Sequence, residues 1–110
     1  MDNLLKLGTG SKVGDATLHI PAGTTKLGFY CVAWKGKKAE VKFSVGGTEI
    51  KTINPAANVG AAGNAPYTAL NVADSDYYEI EISAASATDV KVETLDPSNG
   101  RAIFIGFKAE

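Results

Sequence analysis

Hydrophobic and polar positions alternate along much of the chain with a period of two, which places successive side chains on opposite faces of a β-strand. Residues 41–45 show this most clearly, because Val41, Phe43 and Val45 share one side while polar side chains occupy the other. We therefore predict a strand with one buried and one solvated face. Further candidate strands cover residues 4–7, 16–20, 48–53, 67–72, 77–82 and 90–94.

Two segments, residues 26–34 and 101–108, are apolar on both faces. This pattern predicts central strands covered on both sides, and we expect the two to be neighbours in the middle of the sheets. A short polar loop, residues 35–38, joins the first segment to the strand at residue 41, and we predict a hairpin there. The pair Gly46-Gly47 predicts a second, tighter hairpin.

No segment has the period of an amphipathic helix. About eight or nine short strands, with turns every 8–12 residues, predict an all-β fold, namely a two-sheet antiparallel β-sandwich of the jelly-roll type. A barrel is the alternative. Without an internal repeat or linker, residues 1–110 are expected to form a single domain. The loop at residues 54–66 is long and built from small residues, and loops of that length are often functional or mobile.

Charge excludes some classes of partner. The net charge is −1, with 11 basic residues scattered among 12 acidic ones, so we expect neither nucleic acid nor an anionic membrane surface as a partner. Lys35, Lys37 and Lys38 are the one cationic cluster, which we interpret as a solvated turn. No apolar stretch approaches the ~20 residues of a membrane helix, and residues 1–4 do not resemble a signal peptide. We expect a cytoplasmic protein or a mature piece of a longer secreted chain.

Candidate catalytic chemistry is sparse. His19 is the one histidine and falls on the polar face of its strand, and Cys31 is the one cysteine and falls in an apolar run. Zinc sites of the usual composition and intramolecular disulfides are thereby excluded. Glu79 and Glu81 share a strand face about 7 Å apart, within the range of an inverting glycosidase, but on a face expected to be solvated. We therefore predict no enzyme activity and no cofactor.

A short acidic segment raises the question of a structural calcium ion. Asp74 and Asp76, with Asn71 nearby, could supply oxygen ligands from a loop. Calcium requires six to eight oxygens, so an ordinary turn is the favoured interpretation.

Several segments resemble β-sandwich domains of surface and secreted proteins from Bacteroides-type bacteria. They are ATLHIPAGTTKLGFY at residues 16–30, AWKGK at 33–37, GNAPY at 63–67, DSDYY at 74–78 and RAIFIGFK at 101–108. The similarity covers most of the chain and consists of strand and turn patterns. It implies a galactose-binding-type jelly roll appended to a larger extracellular protein. The family offers no catalytic motif to transfer.

Aromatic residues near loop ends are the best candidates for ligand binding. Sugar-binding sandwich domains stack the C–H faces of a sugar on flat rings and bond its hydroxyl groups with polar side chains. We predict Trp34, Tyr67 and Tyr77 as stacking surfaces, with Asn64 and Asp76 as hydrogen-bonding groups.

These observations predict a non-catalytic binding or accessory module of a secreted or cell-surface bacterial protein, with a polysaccharide or a neighbouring domain as its partner. The alternative is a structural assembly protein, such as a virion decoration or adhesin-type subunit, because unpaired strand edges accept a partner. Residues 4–7 are the candidate edge. A small hydrolase is disfavoured by the missing site chemistry, and the oligomeric state stays open.

Overall fold

The computed structural model describes residues 4–9, 12–63, 67, 69–95 and 101–110. This part of the chain contains eight strands and one 3₁₀ turn at Asp74–Asp76, which confirms the all-β prediction. The strands are β1 (Leu4–Leu7), β2 (Asp15–Ile20), β3 (Lys26–Ala33), β4 (Val41–Val45), β5 (Thr48–Ile53), β6 (Tyr77–Glu81), β7 (Thr88–Thr94) and β8 (Ala102–Ala109).

The strands form two four-stranded antiparallel sheets. Sheet A has the order β1-β8-β3-β6, and sheet B has the order β2-β7-β4-β5. The chain passes between the sheets at nearly every connection, which is the arrangement of a jelly roll. The predicted two-sheet antiparallel sandwich is confirmed, and the barrel alternative is wrong.

Two predicted strand relationships are also confirmed. β3 pairs with β8 in the middle of sheet A, and Cys31 lies opposite Phe104. β4 and β5 form the predicted hairpin, in which Gly46 and Gly47 both have positive φ angles of 58° and 84°. Residues with side chains rarely adopt positive φ angles, whereas glycine adopts them freely.

The predicted hairpin between β3 and β4 is wrong. β3 lies in sheet A between β8 and β6, whereas β4 lies in sheet B between β7 and β5. The turn at residues 34–38 therefore carries the chain across the sandwich. Alternation of polar and apolar residues indicates which side of a strand is buried, but it does not indicate which strand lies alongside.

The strand predicted at residues 67–72 is also wrong for the residues that the structure describes there. Leu70 donates its backbone N–H to the Tyr67 carbonyl at 2.9 Å, which is a turn contact, and Thr68 lies outside the described residues. This segment belongs to a long connection between β5 and β6. We refer to residues 54–73 as the covering loop.

The main core lies between the two sheets and is centred on Phe29. Its fully buried ring has four aromatic neighbours with ring-centroid distances of 5.2–6.0 Å. These neighbours are Phe43, Tyr78, Phe104 and Phe107. Alternate residues of β4, β6 and β7 also contribute to this core, and they are Val41, Phe43, Val45, Tyr78, Ile80, Val90 and Val92.

A second apolar cluster lies on the opposite face of sheet A. Val32 of β3 and Ile103 of β8 are fully buried there beneath Ala61, Tyr67 and Leu70 of the covering loop. This second layer explains why β3 and β8 are apolar on both faces, since each strand has a core on either side.

Asn58 fastens the covering loop to sheet A. Its backbone N–H donates to the Ala33 carbonyl at 3.1 Å. Its side chain donates to the Asn71 carbonyl at 2.9 Å and accepts the Gly60 N–H at 2.8 Å. The loop therefore covers only the part of the outer face near Ala33 and leaves the remainder of that face open.

Candidate functional site

The open part of the outer face of sheet A carries the candidate site. The period of two places alternate residues of β3 and β6 on this face, and Lys108 of β8 lies opposite Gly28. The residues on the open part are Lys26, Gly28, Tyr30, Tyr77, Glu79, Glu81 and Lys108.

Tyr30 and Tyr77 form a joined aromatic surface, which we call the tyrosine platform. They lie directly opposite each other on β3 and β6, with ring centroids 5.1 Å apart and an interplanar angle of 62°. Tyr77 is 42% exposed although its ring packs edge-on against Tyr30. The platform therefore combines a fixed ring geometry with an accessible apolar surface.

Gly28 provides the space beneath Tyr77. A methyl group at this position would overlap the Tyr77 hydroxyl group, so the tyrosine leans diagonally across the glycine. Gly28 is buried on an otherwise open face for this reason. A glycine inside a central strand often marks such a close approach, and here it lets an aromatic ring lie against the sheet.

Charged side chains surround the platform. Lys26 and Glu79 form an exposed ion pair at 3.5 Å, and Glu81 lies opposite Lys26 across the strands. These residues line an open depression of about 720 Å³ that extends along β6. Lys108 donates to Glu110 at 2.9 Å, and this hydrogen bond lowers the pKa of the Glu110 carboxyl. Donors and acceptors thus lie on two sides of the platform.

Asp76 fixes the start of β6 beside the platform. Its carboxylate accepts the Ala73 backbone N–H at 2.9 Å, while its own N–H donates to the Ala73 carbonyl at 2.9 Å. These reciprocal bonds close the 3₁₀ turn that Asp74 begins, and Tyr77 follows directly. Asp76, which we predicted as a hydrogen-bonding group for a ligand, therefore fixes the backbone immediately before Tyr77.

Trp34 lies against Tyr67 of the covering loop, apart from the platform. Their rings meet edge to face with centroids 6.0 Å apart. Tyr67 is only 7% exposed, so it supports the second cluster and has no free ring face. Trp34 is half-buried, and the cationic groups of Lys6 and Arg101 lie near its ring.

The structure thus divides the predicted site residues into two groups. Tyr77 is part of the platform and Asp76 adjoins it, whereas Trp34 and Tyr67 form a separate group. Asn64 lies outside the described residues. Sequence reasoning missed Tyr30. Its position two residues after Gly28, on the same strand face, was the signal that could have placed an aromatic beside Tyr77.

The remaining candidate groups lie apart from this face. His19 and Asp89 pair through Nδ1 and Oδ1 at 2.8 Å on the exposed side of sheet B. Cys31 is fully buried in the main core, where burial raises the pKa of its thiol. The described residues contain no group of three or more His, Cys, Asp and Glu side chains that could hold a metal ion. They also contain no helix that is long and apolar enough to span a membrane.

Comparison with known proteins gives a likeness to a solved structure but no match in sequence. No family model and no curated protein sequence matches the chain. A solved structure described as "Carbohydrate-Binding Module CBM36 in complex with calcium and xylotriose" is similar to it, with 10% sequence identity and a TM-score of 0.46. The likeness covers 96% of this chain and 78% of that chain. No residue role is transferred from it, and the fold rests on the two sheets described above.

Proposed function

We propose that this protein is a non-catalytic binding module that holds a carbohydrate chain across the tyrosine platform. The observation that carries the proposal is the Tyr77 ring, which is 42% exposed yet fixed between Tyr30 and Gly28. Two packed aromatic rings on a solvated sheet face offer a ligand a fixed apolar surface with polar ends.

Preorganisation is the physical reason that this arrangement suits a sugar. A ring that is already packed loses little conformational entropy when a ligand covers it. The apolar C–H face of a sugar ring would lie on Tyr77, and its hydroxyl groups would bond to charged side chains at the rim. The available groups are Lys26, Glu79, Glu81 and Lys108.

The non-catalytic part of the proposal rests on the separation of reactive groups. The His19–Asp89 pair lies on sheet B, whereas the tyrosine platform lies on sheet A. Glu79 is paired with Lys26 and shares an open depression with Glu81, so the two acids lie in a solvated surface rather than in a water-excluded cleft.

Glycan-array screening followed by calorimetry tests the proposal. We expect at least one polysaccharide to bind, and we expect Tyr77→Ala to weaken that binding about tenfold or more. The loss reflects removal of an apolar face whose burial contributes about 1.5–3 kcal/mol. Tyr77→Phe keeps the ring and should bind within about threefold of the wild type.

Val59→Ala is the matched control, since Val59 is 82% exposed on the covering loop and lies away from the platform. Its binding should equal that of the wild type. Absence of binding to every polysaccharide, or binding that Tyr77→Ala leaves unchanged, would contradict the proposed function.

We further propose that the module is part of a longer secreted or cell-surface bacterial protein. The sequence resemblance to accessory domains of such proteins supports this setting. A full-length gene that also encodes an export signal, a lipid anchor or an enzyme domain would bear it out. A gene that encodes this domain alone, without any export signal, would contradict it.

A structural subunit is the second candidate, because open strand edges lie beside apolar side chains in the described part of the chain. There β2 pairs with β7 alone, and β8 pairs with β1 only from Ala102 to Ile105. The apolar side chains that line the groove between the open edges are Leu18, Ile20, Leu27, Phe107 and Ala109.

The occupant of that groove in this alternative is a second copy of the chain, with β2 pairing antiparallel to β2 of the first. A two-fold axis permits this contact because the same edge meets itself. Light scattering distinguishes the candidates: a stable dimer or larger assembly would favour the structural role, and a monomer at all concentrations would contradict it.

A further inference from the structure

Basic side chains from three separate parts of the chain converge around Trp34. Arg101 immediately precedes β8, and its guanidinium carbon lies 4.2 Å from the centre of the Trp34 ring. Lys6 of β1 places its Nζ 5.1 Å from the same centre. The turn at residues 35–38 adds three exposed lysines. We call these residues the basic cluster: Lys6, Lys35, Lys37, Lys38 and Arg101.

The basic cluster lacks acidic partners among the residues that the structure describes. None of its five side chains forms an ion pair there, whereas four other lysines do: Lys26, Lys42, Lys91 and Lys108. The whole chain has a formal net charge of −1, so its remaining residues carry an excess of six negative charges. The positive potential is therefore concentrated at one end of the sandwich.

Trp34 orders the cations that lie against it. Its backbone N–H donates to the Arg101 carbonyl at 3.3 Å, which holds the strand end beside the ring. A guanidinium stacked on an aromatic ring keeps its planar edge free to donate two parallel hydrogen bonds. The Arg101 guanidinium donates none to another described residue, so this edge is available to a ligand.

We propose that the basic cluster binds the carboxylate or sulfate groups of an acidic polysaccharide, with Arg101 making the bidentate contact. Recognition of the anion follows from the cluster alone, and the assignment of a saccharide as its carrier rests on the proposed function above. Bidentate guanidinium contacts to two oxygens of one anionic group combine charge with geometric selectivity.

Charge spacing favours an acidic polysaccharide over a nucleic acid. Duplex DNA carries one negative charge per ~1.7 Å of its axis, so extended contact would place many phosphates against the acidic remainder of the surface. A polysaccharide with one acidic group per sugar spaces its charges more widely along its length than duplex DNA does, so fewer charges would lie against that acidic surface. A cluster of five basic residues is therefore better suited to an acidic polysaccharide than to a nucleic acid.

Binding measurements with four probes test this proposal: polygalacturonate, dextran sulfate, unsubstituted dextran and a duplex DNA oligonucleotide. We expect the two acidic polysaccharides to bind and to weaken as salt increases. Arg101→Gln should weaken them about tenfold, because a charge-assisted contact is lost. Lys37→Gln, in an exposed turn, should weaken them about threefold without affecting folding.

Lys51→Gln is the matched control, since Lys51 is exposed on β5 and outside the cluster. The proposal is overturned if Arg101→Gln and Lys37→Gln bind as the wild type does, or if the DNA binds more tightly than either acidic polysaccharide. Tyr77→Ala separates the two proposals. If Tyr77→Ala abolishes polysaccharide binding while Arg101→Gln and Lys37→Gln have no effect, the proposed function is supported and the anion site is contradicted. If Tyr77→Ala has no effect while the two charge variants weaken binding, the anion site is supported and binding at the tyrosine platform is contradicted.

Discussion

The Tyr77 hydroxyl group lies over Gly28 on the neighbouring strand, in the space that any side chain at Gly28 would fill. The ring is held from the side by Tyr30. The absence of a side chain at Gly28 thus determines whether the exposed Tyr77 ring can lie against sheet A. This relationship gives a direct test of the platform.

Gly28→Ala should displace Tyr77 and lower the free energy of unfolding by about 1 kcal/mol. This value is at the low end of the usual cost of overpacking, because the hydroxyl end of the Tyr77 ring can move aside. In a Tyr77→Ala background the same substitution should be neutral or stabilising, since alanine is better than glycine in a strand by about 0.5–1 kcal/mol. Urea denaturation of the four proteins measures the coupling. Equal effects in both backgrounds would show that the two residues are independent.

Asn58→Ala should release the covering loop. The substitution removes two side-chain hydrogen bonds, to Asn71 and from Gly60, and should cost about 1–2 kcal/mol. Hydrogen exchange at the Ala61 and Leu70 amides, both bonded within the loop, should accelerate. Asn54→Ala, at an exposed position, is the control and should leave both amides as protected as in the wild type.

Alkaline pH should destabilise the fold through Cys31. Burial, and secondarily the charge of Asp76, raises the pKa of the thiol above its ordinary value of 9.0, so the folded state retains a proton that the unfolded state releases. Stability is therefore complete below about pH 9 and falls above it, by up to about 1.4 kcal/mol per pH unit. Burial also raises the pKa of Tyr78 and adds to this slope.

Urea denaturation from about pH 8 to about pH 11 measures the effect. Cys31→Ala should reduce the slope, leaving the contribution of Tyr78. The same thiol should resist an aromatic disulfide reagent in the folded protein and react after denaturation. Rapid reaction in the native state would contradict the buried position.

Acid pH should act through Glu93. A hydrogen bond from Lys42, with further attraction from Lys91, lowers the pKa of this carboxyl. Its contribution is complete above its ordinary pKa of 4.5 and disappears as the pH falls through the lowered value. Glu93→Gln should therefore cost about 0.5–1 kcal/mol near neutral pH and flatten the acid dependence of unfolding.

Glu49→Gln provides the comparison for this prediction, because Glu49 is exposed on β5 and forms no ion pair among the described residues. The free energy of unfolding of Glu49→Gln should fall with decreasing pH as steeply as that of the wild type. If both variants have the same pH profile, the three-residue charge network contributes nothing to stability.

The sequence was sufficient for the strands and the class of fold because both depend on local alternation. Val41 and Phe43 are buried as predicted, and Tyr78 and Ile80 point inward while Tyr77 points outward. The glycine pair at the β4–β5 turn also acts locally, through its backbone conformation. Such features require no knowledge of distant partners.

The pairing of strands and the burial of sheet A by the covering loop could not be predicted in this way, because both depend on residues far apart in the sequence. The turn after Trp34 has hairpin composition yet crosses between sheets. Tyr67 looked like a free ring beside a loop, but that loop folds back over Val32 and Ile103 and buries it. The contact between Tyr77 and Gly28 likewise depends on pairing between β3 and β6.

The central position of β8 has a consequence for how the protein is made. Among the described strands β8 is the last to leave the ribosome, yet β1 pairs there with β8 alone and β3 has only β6 until β8 is made. During synthesis, sheet A therefore stays incomplete until β8 is made, with apolar residues exposed on both of its faces. Nascent chains that stall before residue 102 should be the species that chaperones capture and proteases remove.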